Sequence, residues 1–232
     1  MHITLCILTR NERSCVEVVI PRVPPPGPTA GYDTAVVIDG GSTDGTKEYF
    51  AQRGFSIIRQ TGQGRGHAFL TAFDRVETDA YIFFSPDGNE DPADLPKFRQ
   101  LLEQHFDLVI ASRMMTGARN EEDGQVLTPR KWANRAFNLA ANLLFQRGGT
   151  HVTDSINGYR AITREAARRL SLDATNFTIE YQMTMRALKQ GLRIVEFPTT
   201  EHPRVAGETQ AQNIRTGLSF LRTLFREMRA GV

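Results

Sequence analysis

Short apolar runs recur along the first half of the chain, and segments with apolar residues at helical spacing lie between them. Runs of this length bounded by glycine, proline or polar residues are typical of buried strands. The predicted strands cover 3–8, 35–38, 55–60, 80–85 and 106–112, and the predicted helices cover 12–20, 44–53, the second half of 61–76 and a segment after Pro92. Strands separated by helices predict an α/β fold with a mostly parallel central sheet and right-handed crossovers. Without a repeat or a clear linker, a single domain is expected.

Two segments depart from this alternation. Residues 114–129 are polar, charged and glycine-bearing, which predicts a long mobile loop. Near the C-terminus, apolar residues recur at helical spacing beside a row of arginines. The apolar positions are Ile214, Leu218, Leu221, Phe225 and Met228, and the basic ones are Arg215, Arg222, Arg226 and Arg229. We therefore predict a domain over 1–210 followed by an amphipathic basic helix over 211–232, which either packs its apolar face on the domain or lies on an anionic membrane.

Composition narrows the function classes. A chain of 232 residues with 40% hydrophobic content can bury the core of one large α/β domain. It contains no apolar run of the ~18 residues that a membrane span requires, and the N-terminal apolar run is too short for a signal peptide. A cytoplasmic location is expected, on this basis, with both cysteines reduced. The net charge of +2 gives no argument for a nucleic-acid partner.

The segment "VVIDGGSTDGT" carries the first candidate chemistry. An apolar strand ends at Asp39, and a loop of glycines and hydroxyl residues follows. Ligands of open α/β sheets bind at the carboxyl ends of strands, and glycine lets a ligand approach the backbone closely. Two interpretations stay open here, which are a nucleotide site and an ordinary strand-to-helix turn with Ser42 or Thr43 as the helix cap.

The segment "YIFFSPDGNEDPADL" delivers a second set of oxygen ligands at a strand end. Asp87, Asn89, Glu90 and Asp91 suit a hard divalent cation such as Mg²⁺ or Mn²⁺. A calcium-binding EF-hand is excluded, because proline stands at its sixth position and phenylalanine at its twelfth. A plain acidic turn in which Asp91 or Asp94 caps the next helix is the other interpretation.

The segment "TGQGRGHAF" has glycines at 62, 64 and 66, but His67 stands where the dinucleotide-binding fingerprint requires its third glycine. The pattern therefore argues against a Rossmann dehydrogenase. A glycine-rich helix start around Gly64 can still accept part of a nucleotide.

Seven segments in register resemble one family. They are "ILTRNE", "VVIDGGSTDGT", "GQGRGHAF", "FFSPDGNEDP", "ASR", "DSINGYRAITR" and "EFPTTEHPRVAGET". Their order and spacing resemble the family 2 glycosyltransferases, which have the A-type nucleotide-diphospho-sugar transferase fold, and within that family the dolichol- or polyprenyl-phosphate mannosyltransferases. The resemblance covers residues 3–210, nearly the whole chain.

The resemblance implies a nucleotide-sugar donor site. Its nucleotide-binding residues would be Thr9, Asn11, Glu12, Asp39, Gly64, Asp87 and Arg113. Asp39 would accept a hydrogen bond from the base, and Arg113 would approach the phosphates. Asp87 matches the first residue of the family's Asp-x-Asp metal motif, with Asn89 as its uncharged partner. Gly40 stands where the family usually has a second aspartate.

The resemblance also implies an acceptor site. Asp154, Arg160 and Glu180 are the expected catalytic residues, and Asp154 or Glu180 would be the base if the acceptor is a hydroxyl. An acceptor that is a polyprenyl phosphate is already an anionic nucleophile, and Arg130, Lys131 and Arg204 would bind it. The structural alternative for Arg160 and Glu180 is an internal salt bridge.

These observations predict a metal-dependent inverting transferase that moves a hexose from a UDP- or GDP-linked sugar to an acceptor. A polyprenyl phosphate would place the enzyme at the inner face of a membrane, as a peripheral protein. The alternative is a catalytically degenerate homologue that binds nucleotide or a partner. It is motivated by Gly40, by Asn89, and by Gln210, which replaces a lysine of the family pattern.

Overall fold

A computed structural model describes residues 1–120, 123, 129–147, 149–206 and 214–230, with backbone only at 129, 130, 214 and 215. Its strands are β1 (Ile3–Thr9), β2 (Thr34–Asp39), β3 (Ser56–Arg59), β4 (Ala80–Phe84), β5 (Leu108–Ser112), β6 (Arg160–Thr163) and β7 (Ile194–Pro198). Its α-helices are α1 (Arg13–Val19), α2 (Thr46–Ala51), α3 (Arg65–Arg75), α4 (Leu95–Glu103), α5 (Pro129–Phe145), α6 (Arg164–Leu170), α7 (Ile179–Lys189) and α8 (Ile214–Arg229). Short 3₁₀ helices occupy Ile20–Arg22, Pro28–Ala30 and Pro92–Asp94.

The strands form one sheet in the order β3-β2-β1-β4-β6-β5-β7. Only β6 runs antiparallel to its neighbours among these strands, so the predicted single α/β domain with a mostly parallel sheet is confirmed. Thr9 pairs with Asp39, and Ile7 pairs with Phe84. The carboxyl ends of β1, β2 and β4 therefore meet at one edge of the sheet.

The core has one layer on each side of the sheet. Along β1, Ile3, Leu5 and Ile7 face a cluster with α1 and α4, whereas Cys6 and Leu8 face a cluster with α3 and α5–α8. This alternation follows from the two-residue period of a strand, and burial on both sides explains the continuous apolar run. Burial raises the pKa of the Cys6 thiol, which is consistent with a reduced structural cysteine.

The loop after β2 corrects one local prediction. Helix α2 begins at Thr46 with Gly45 as its N-cap residue, so neither Ser42 nor Thr43 caps it. Asp44 instead accepts hydrogen bonds from the backbone N–H (3.0 Å) and the hydroxyl (2.5 Å) of Thr46. An aspartate that accepts from the backbone two residues further on forms an Asx turn, which here satisfies the N–H of the first residue of α2. In the loop after β4, Asp91 caps the 3₁₀ helix Pro92–Asp94 as predicted, by accepting from Ala93 N at 3.0 Å, whereas Asp94 makes no side-chain cap at the start of α4.

The two unusual segments are described in part. Of the loop predicted at 114–129, residues 114–120 form turns, with Arg119 bridging to Thr200. Residues 121, 122 and 124–128 of this loop lie outside the described residues, as does the predicted domain boundary at 210. The predicted C-terminal helix is present as α8. Its buried residues are Phe220, Thr223, Leu224 and Glu227, while Leu218, Leu221, Phe225 and Met228 are exposed. The expectation that this apolar stripe packs on the domain is therefore wrong.

Within the described residues, no helix is both long enough and apolar enough to cross a bilayer.

Candidate active site

Asp39 ends β2 at the edge of the sheet and shapes the loop that follows it. Its carboxylate is 1% exposed and accepts hydrogen bonds from the N–H groups of Gly41 (2.9 Å) and Ser42 (3.1 Å). Asn11, at the end of β1, has a positive φ of 54° and accepts from Thr43 N at 2.8 Å. Side chains at two neighbouring strand ends thus hold the bare loop in a fixed shape.

Thr9 contributes an unsatisfied polar atom beside this loop. Its hydroxyl oxygen is buried and has no hydrogen-bond partner among the described residues. Buried polar atoms are normally paired, so such an atom calls for an explanation, and a bound water or ion and a role in function are among the usual ones. The predicted nucleotide contacts of Thr9, Asn11 and Asp39 thus have a common location, and they stay predictions.

Asp87 and Glu12 converge on one positive group. Arg204 donates to Asp87 Oδ2 at 2.9 Å and also to the Glu12 carboxylate. Burial raises the pKa of Asp87, and Arg204 offsets part of that effect. Among the described residues, no three His, Cys, Asp or Glu side chains cluster as a ready-made metal site. The place where the sequence predicts a cation therefore holds two carboxylates and a guanidinium.

The segment that carries Arg204 is docked directly on the loop after β4. Val205 N donates to Asp87 O at 3.0 Å, His202 N donates to Asn89 O at 3.0 Å, and the Asn89 amide donates to His202 O at 2.8 Å. Gly88 permits this approach, because a Cβ there would lie 2.6 Å from a methyl of Val205. Asn89 thus fastens the two segments together, and its role as a metal ligand stays a prediction.

The glycines of "GQGRGHAF" are explained by close packing at the start of α3. A Cβ on Gly64, whose φ is 107°, would lie 2.5 Å from Thr175 O, and one on Gly66 would lie 2.1 Å from Ala174 O. Between them, Arg65 donates to the Glu180 carboxylate and, at 3.1 Å, to the hydroxyl of Ser85. The glycines therefore bring Arg65 to the site, and the predicted nucleotide contact of Gly64 is not needed to explain them.

Glu180 and Arg160 do not form the internal salt bridge that was considered for them. The Glu180 carboxylate pairs with Arg65, and the described hydrogen bonds reach only its Oε1. Arg160 is fully buried and donates to the carbonyls of Asn157 (2.6 Å) and Glu180 (2.9 Å) and to the Thr184 hydroxyl (3.1 Å). Burial lowers the pKa of Arg160 to about 10. Its donors are used inside the protein, and its catalytic role stays a prediction.

Asp154 forms a buried ion pair with Arg113. The carboxylate is 0% exposed and accepts from Arg113 Nε (2.8 Å), Nη2 (3.1 Å) and N (3.1 Å), and from Asn157 N (3.2 Å). Arg113 also donates to Glu201 at 2.8 Å. Burial alone would lower the pKa of Arg113, but the two carboxylates raise it. Both oxygens of Asp154 are thus engaged, as is the guanidinium that was predicted to approach phosphates.

The basic residues that were predicted to bind an acceptor phosphate do not form one cluster among the described residues. Arg204 forms an ion pair with Asp87, and Lys131 forms one with Asp123. The side chain of Arg130 lies outside the described residues. Their binding of an acceptor stays a prediction.

The model of the family described as glycosyl transferase family 2 matches residues 4–171, which is more than half of the chain. The chain belongs to glycosyl transferase family 2. The resemblance carried by the seven sequence segments is thereby confirmed.

Two relatives show how similar the chain is to known proteins. It is 31% identical over 198 residues to glycosyltransferase AglJ of Haloferax volcanii, covering 84% of this chain and 63% of AglJ. It is 28% identical over 225 residues to the undecaprenyl-phosphate mannosyltransferase of Micrococcus luteus, covering 90% of this chain and 87% of that protein. The chain thus spans less than two thirds of AglJ.

The fold also matches a solved structure. The glucosyl-3-phosphoglycerate synthase of Mycobacterium tuberculosis, determined with Mn²⁺, UDP and phosphoglyceric acid, superposes with a TM-score of 0.75 at 19% identity and covers 100% of this chain and 80% of that one. The family 2 chain therefore has the predicted A-type transferase fold.

Sequence reasoning missed two charged residues of this site. Arg65 was visible only as the single charged residue between glycines in "GQGRGHAF". Glu196 was visible as an acid inside the apolar run "IVEFP" of β7, and it accepts from Thr153 N (2.7 Å) and Asp154 N (2.9 Å). A charge inside an apolar run was the available signal for Glu196, because buried charges are normally paired, whereas the glycines around Arg65 gave no such signal.

Proposed function

We propose that this chain transfers a hexosyl group from a nucleoside-diphosphate sugar, UDP- or GDP-linked, to a polyprenyl phosphate, with inversion at the anomeric carbon. The observation that carries the proposal is the meeting of the Asp39 loop and Asp87 at one edge of the sheet, beside the Thr9 hydroxyl, which has no partner among the described residues. Ligands of open α/β sheets bind at this edge. Similarity to an undecaprenyl-phosphate mannosyltransferase supports the acceptor class.

The residues around Asp87 fit a divalent cation. Mg²⁺ and Mn²⁺ bind through one or two carboxylates while substrate phosphates fill the remaining positions. Asp87 and Glu12 share one cationic partner, Arg204, so this group of three carries one more negative than positive charge, and a divalent cation would replace Arg204 on Asp87 or bind its other oxygen. Asp87 would hold the cation, with Asn89 or Glu12 as the second ligand. When bound, the cation neutralises the departing diphosphate.

The rest of the donor site would act through hydrogen bonds. A carboxylate offers about four acceptor positions, and the two backbone donors that reach Asp39 leave room for an N–H of the base. Thr9 would donate its hydroxyl to the nucleotide. Arg65, the first residue of α3, supplies positive charge at the carboxyl end of β4, where it contacts Ser85 and Glu180.

The test is transfer by the purified full-length chain. We expect product from a radiolabelled UDP- or GDP-hexose and a polyprenyl phosphate, in the presence of Mn²⁺. Asp87→Asn should abolish metal-dependent transfer and weaken Mn²⁺ binding measured by calorimetry, whereas Asn89→Asp should preserve or tighten binding. Asp74→Asn removes the same charge from an exposed position on α3 and is the matched control.

Unchanged Mn²⁺ binding and transfer in Asp87→Asn would refute the metal assignment. The degenerate homologue would be favoured if the chain binds nucleotide but neither transfers a sugar to an acceptor nor hydrolyses a donor. The replacement of the usual second aspartate by Gly40 motivates that alternative, since the stem of Arg10 fills the adjacent space, 3.0 Å from where a Cβ would lie.

A further inference from the structure

Two helices on one side of the molecule expose an unusual amount of apolar surface. The exposed large apolar residues of α5 are Trp132, Leu139, Leu143 and Leu144, and those of α8 are Leu218, Leu221, Phe225 and Met228. Elsewhere among the described residues, only Met1, Val18 and Val205 belong to this class. Single exposed apolar residues are common on soluble proteins, but clusters of them mark interaction sites.

The two helices both pack on α7 and touch each other through an aromatic ring pair. The rings of Phe137 on α5 and Phe220 on α8 have centroids 5.2 Å apart, and Tyr181 of α7 packs against both at 5.5 and 5.6 Å. The buried residues of both helices belong to the same core cluster, on one side of the sheet. Their outer faces therefore point away from that cluster together. We call the exposed apolar residues of α5 and α8 the two-helix surface.

A buried charge cluster fixes the orientation of α8. Glu227 is 1% exposed and accepts from Arg186 at 2.9–3.1 Å, from Gln182 at 2.8 Å and from Lys189. Rotating α8 to bury its apolar stripe would expose this cluster and bury arginines instead, which is unfavourable. The stripe is thus held in solvent by the packing of the opposite face.

The exposed charges that α5 and α8 themselves carry are positive, and Arg226 of α8 pairs with Asp173 from the loop before α7. The sequence of α5 contains no acidic residue, and the single acid of α8 is the buried Glu227. Arg135, Arg222 and Arg229 are exposed along these helices. A two-fold interface between copies of the chain would set the same patch against itself, bringing these arginines together without opposite charges. An anionic lipid surface supplies both the negative charge and an apolar layer.

We propose that the two-helix surface docks this chain on an anionic membrane, with the arginines at the lipid headgroups and the tryptophan, leucine and phenylalanine side chains below them. Tryptophan is enriched at this depth of a bilayer. This deepens the proposed function, on which the purpose of docking rests. The surface adjoins the acceptor side of the site, because Tyr181 follows Glu180 in α7 and Asn138 of α5 accepts from Ser155 N at 2.9 Å beside Asp154.

Flotation of the full-length chain with vesicles tests the proposal. At low salt we expect the protein to float with phosphatidylglycerol-containing vesicles and to remain in solution with pure phosphatidylcholine. The double variant Leu143→Glu, Phe225→Glu should reduce the bound fraction about tenfold or more, because it removes two large apolar side chains from the contact. Arg222→Ala with Arg229→Ala should weaken binding and its dependence on salt.

Val18→Glu is the matched control, because Val18 is 50% exposed on α1, which packs on the other side of the sheet. Protein that ignores anionic vesicles at low salt overturns the proposal, as does an equal loss in Val18→Glu. A dimer in solution that Leu143→Glu, Phe225→Glu converts to monomer, without flotation, assigns the surface to a second copy and also overturns it.

Flotation requires neither donor nor metal, so its failure leaves the transferase proposal standing. Conversely, transfer to a short water-soluble prenyl phosphate should be unchanged in the double variant. Loss of that transfer, with an unchanged Tm, would also contradict a role limited to docking.

Discussion

Replacing Asp154 by asparagine separates a structural carboxylate from a catalytic one. Asp154 is fully buried, and each of its oxygens accepts two hydrogen bonds, three of the four coming from Arg113. Asparagine has the same shape, but an NH2 group replaces one of the two accepting oxygens. That group would face the N–H donors of Arg113 or Asn157 and could not accept from them. Of its two acidic partners, Arg113 would keep only Glu201.

The expected loss of stability is large. Removing one partner of a buried ion pair costs about 3–5 kcal/mol, since the other charge stays buried and uncompensated. In a chain of this size, 1 kcal/mol corresponds to a shift of about 2–4 °C in Tm. Asp154→Asn should therefore lower the Tm of the ligand-free protein by about 6–20 °C.

Differential scanning calorimetry of the ligand-free protein measures this shift. Glu77→Gln is the control, because it removes the same charge from a bidentate pair with Arg164 in which the Glu77 side chain is 86% exposed. Exposed pairs contribute little, so its Tm should stay close to that of the parent protein. If Asp154→Asn melts within about 2 °C of the parent while transfer is lost, the structural reasoning is wrong and Asp154 acts on the substrate.

Two further outcomes follow from the contacts. Asp39→Ala should weaken nucleotide binding, measured by calorimetry, by about 1–3 kcal/mol. It should also lower the Tm, because Gly41 and Ser42 lose their acceptor. Equal nucleotide affinity in the variant would mean that the loop is only a turn. Burial raises the pKa of Glu227, but hydrogen bonds from Arg186 and Gln182 outweigh it, so the pKa lies below 4.5. The Glu227 carboxylate stabilises the fold fully above pH 4.5, and it does so less as the pH falls through the pKa that it has in the folded protein. The Tm difference between the parent and Glu227→Gln should therefore shrink in acid. A Tm difference independent of pH would contradict the assigned contacts.

The strand ends were predictable because local sequence determines them. An apolar run followed by glycine predicts where β2 stops, and parallel strands stop at the same edge, so Asp39 and Asp87 could be placed together from the sequence. The pairs that complete the site could not. Arg65 and Glu180 are 115 positions apart, and Arg204 and Asp87 are 117 apart. Nothing in either local pattern specifies such a partner.

Helix α8 shows a different limit of sequence patterns. Its periodicity indicates an amphipathic helix, and amphipathic helices usually bury their apolar face. Here the buried face carries Glu227, because Arg186, Gln182 and Lys189 of α7 satisfy its charge. Periodicity locates two faces, but the partners available on the neighbouring helix decide which one is buried.

The contacts also rank the two carboxylates that were predicted as bases. A base needs an oxygen that can approach the acceptor proton, and both oxygens of Asp154 already accept two donors each. Glu180 receives Arg65 on Oε1, and the described residues donate no hydrogen bond to its Oε2. If the acceptor is a hydroxyl, we infer that Glu180 is the better base. If it is a phosphate, no base is required, and the pairing of Glu180 with Arg65 holds a guanidinium in place beside the predicted acceptor residues, where an anionic nucleophile would need positive charge.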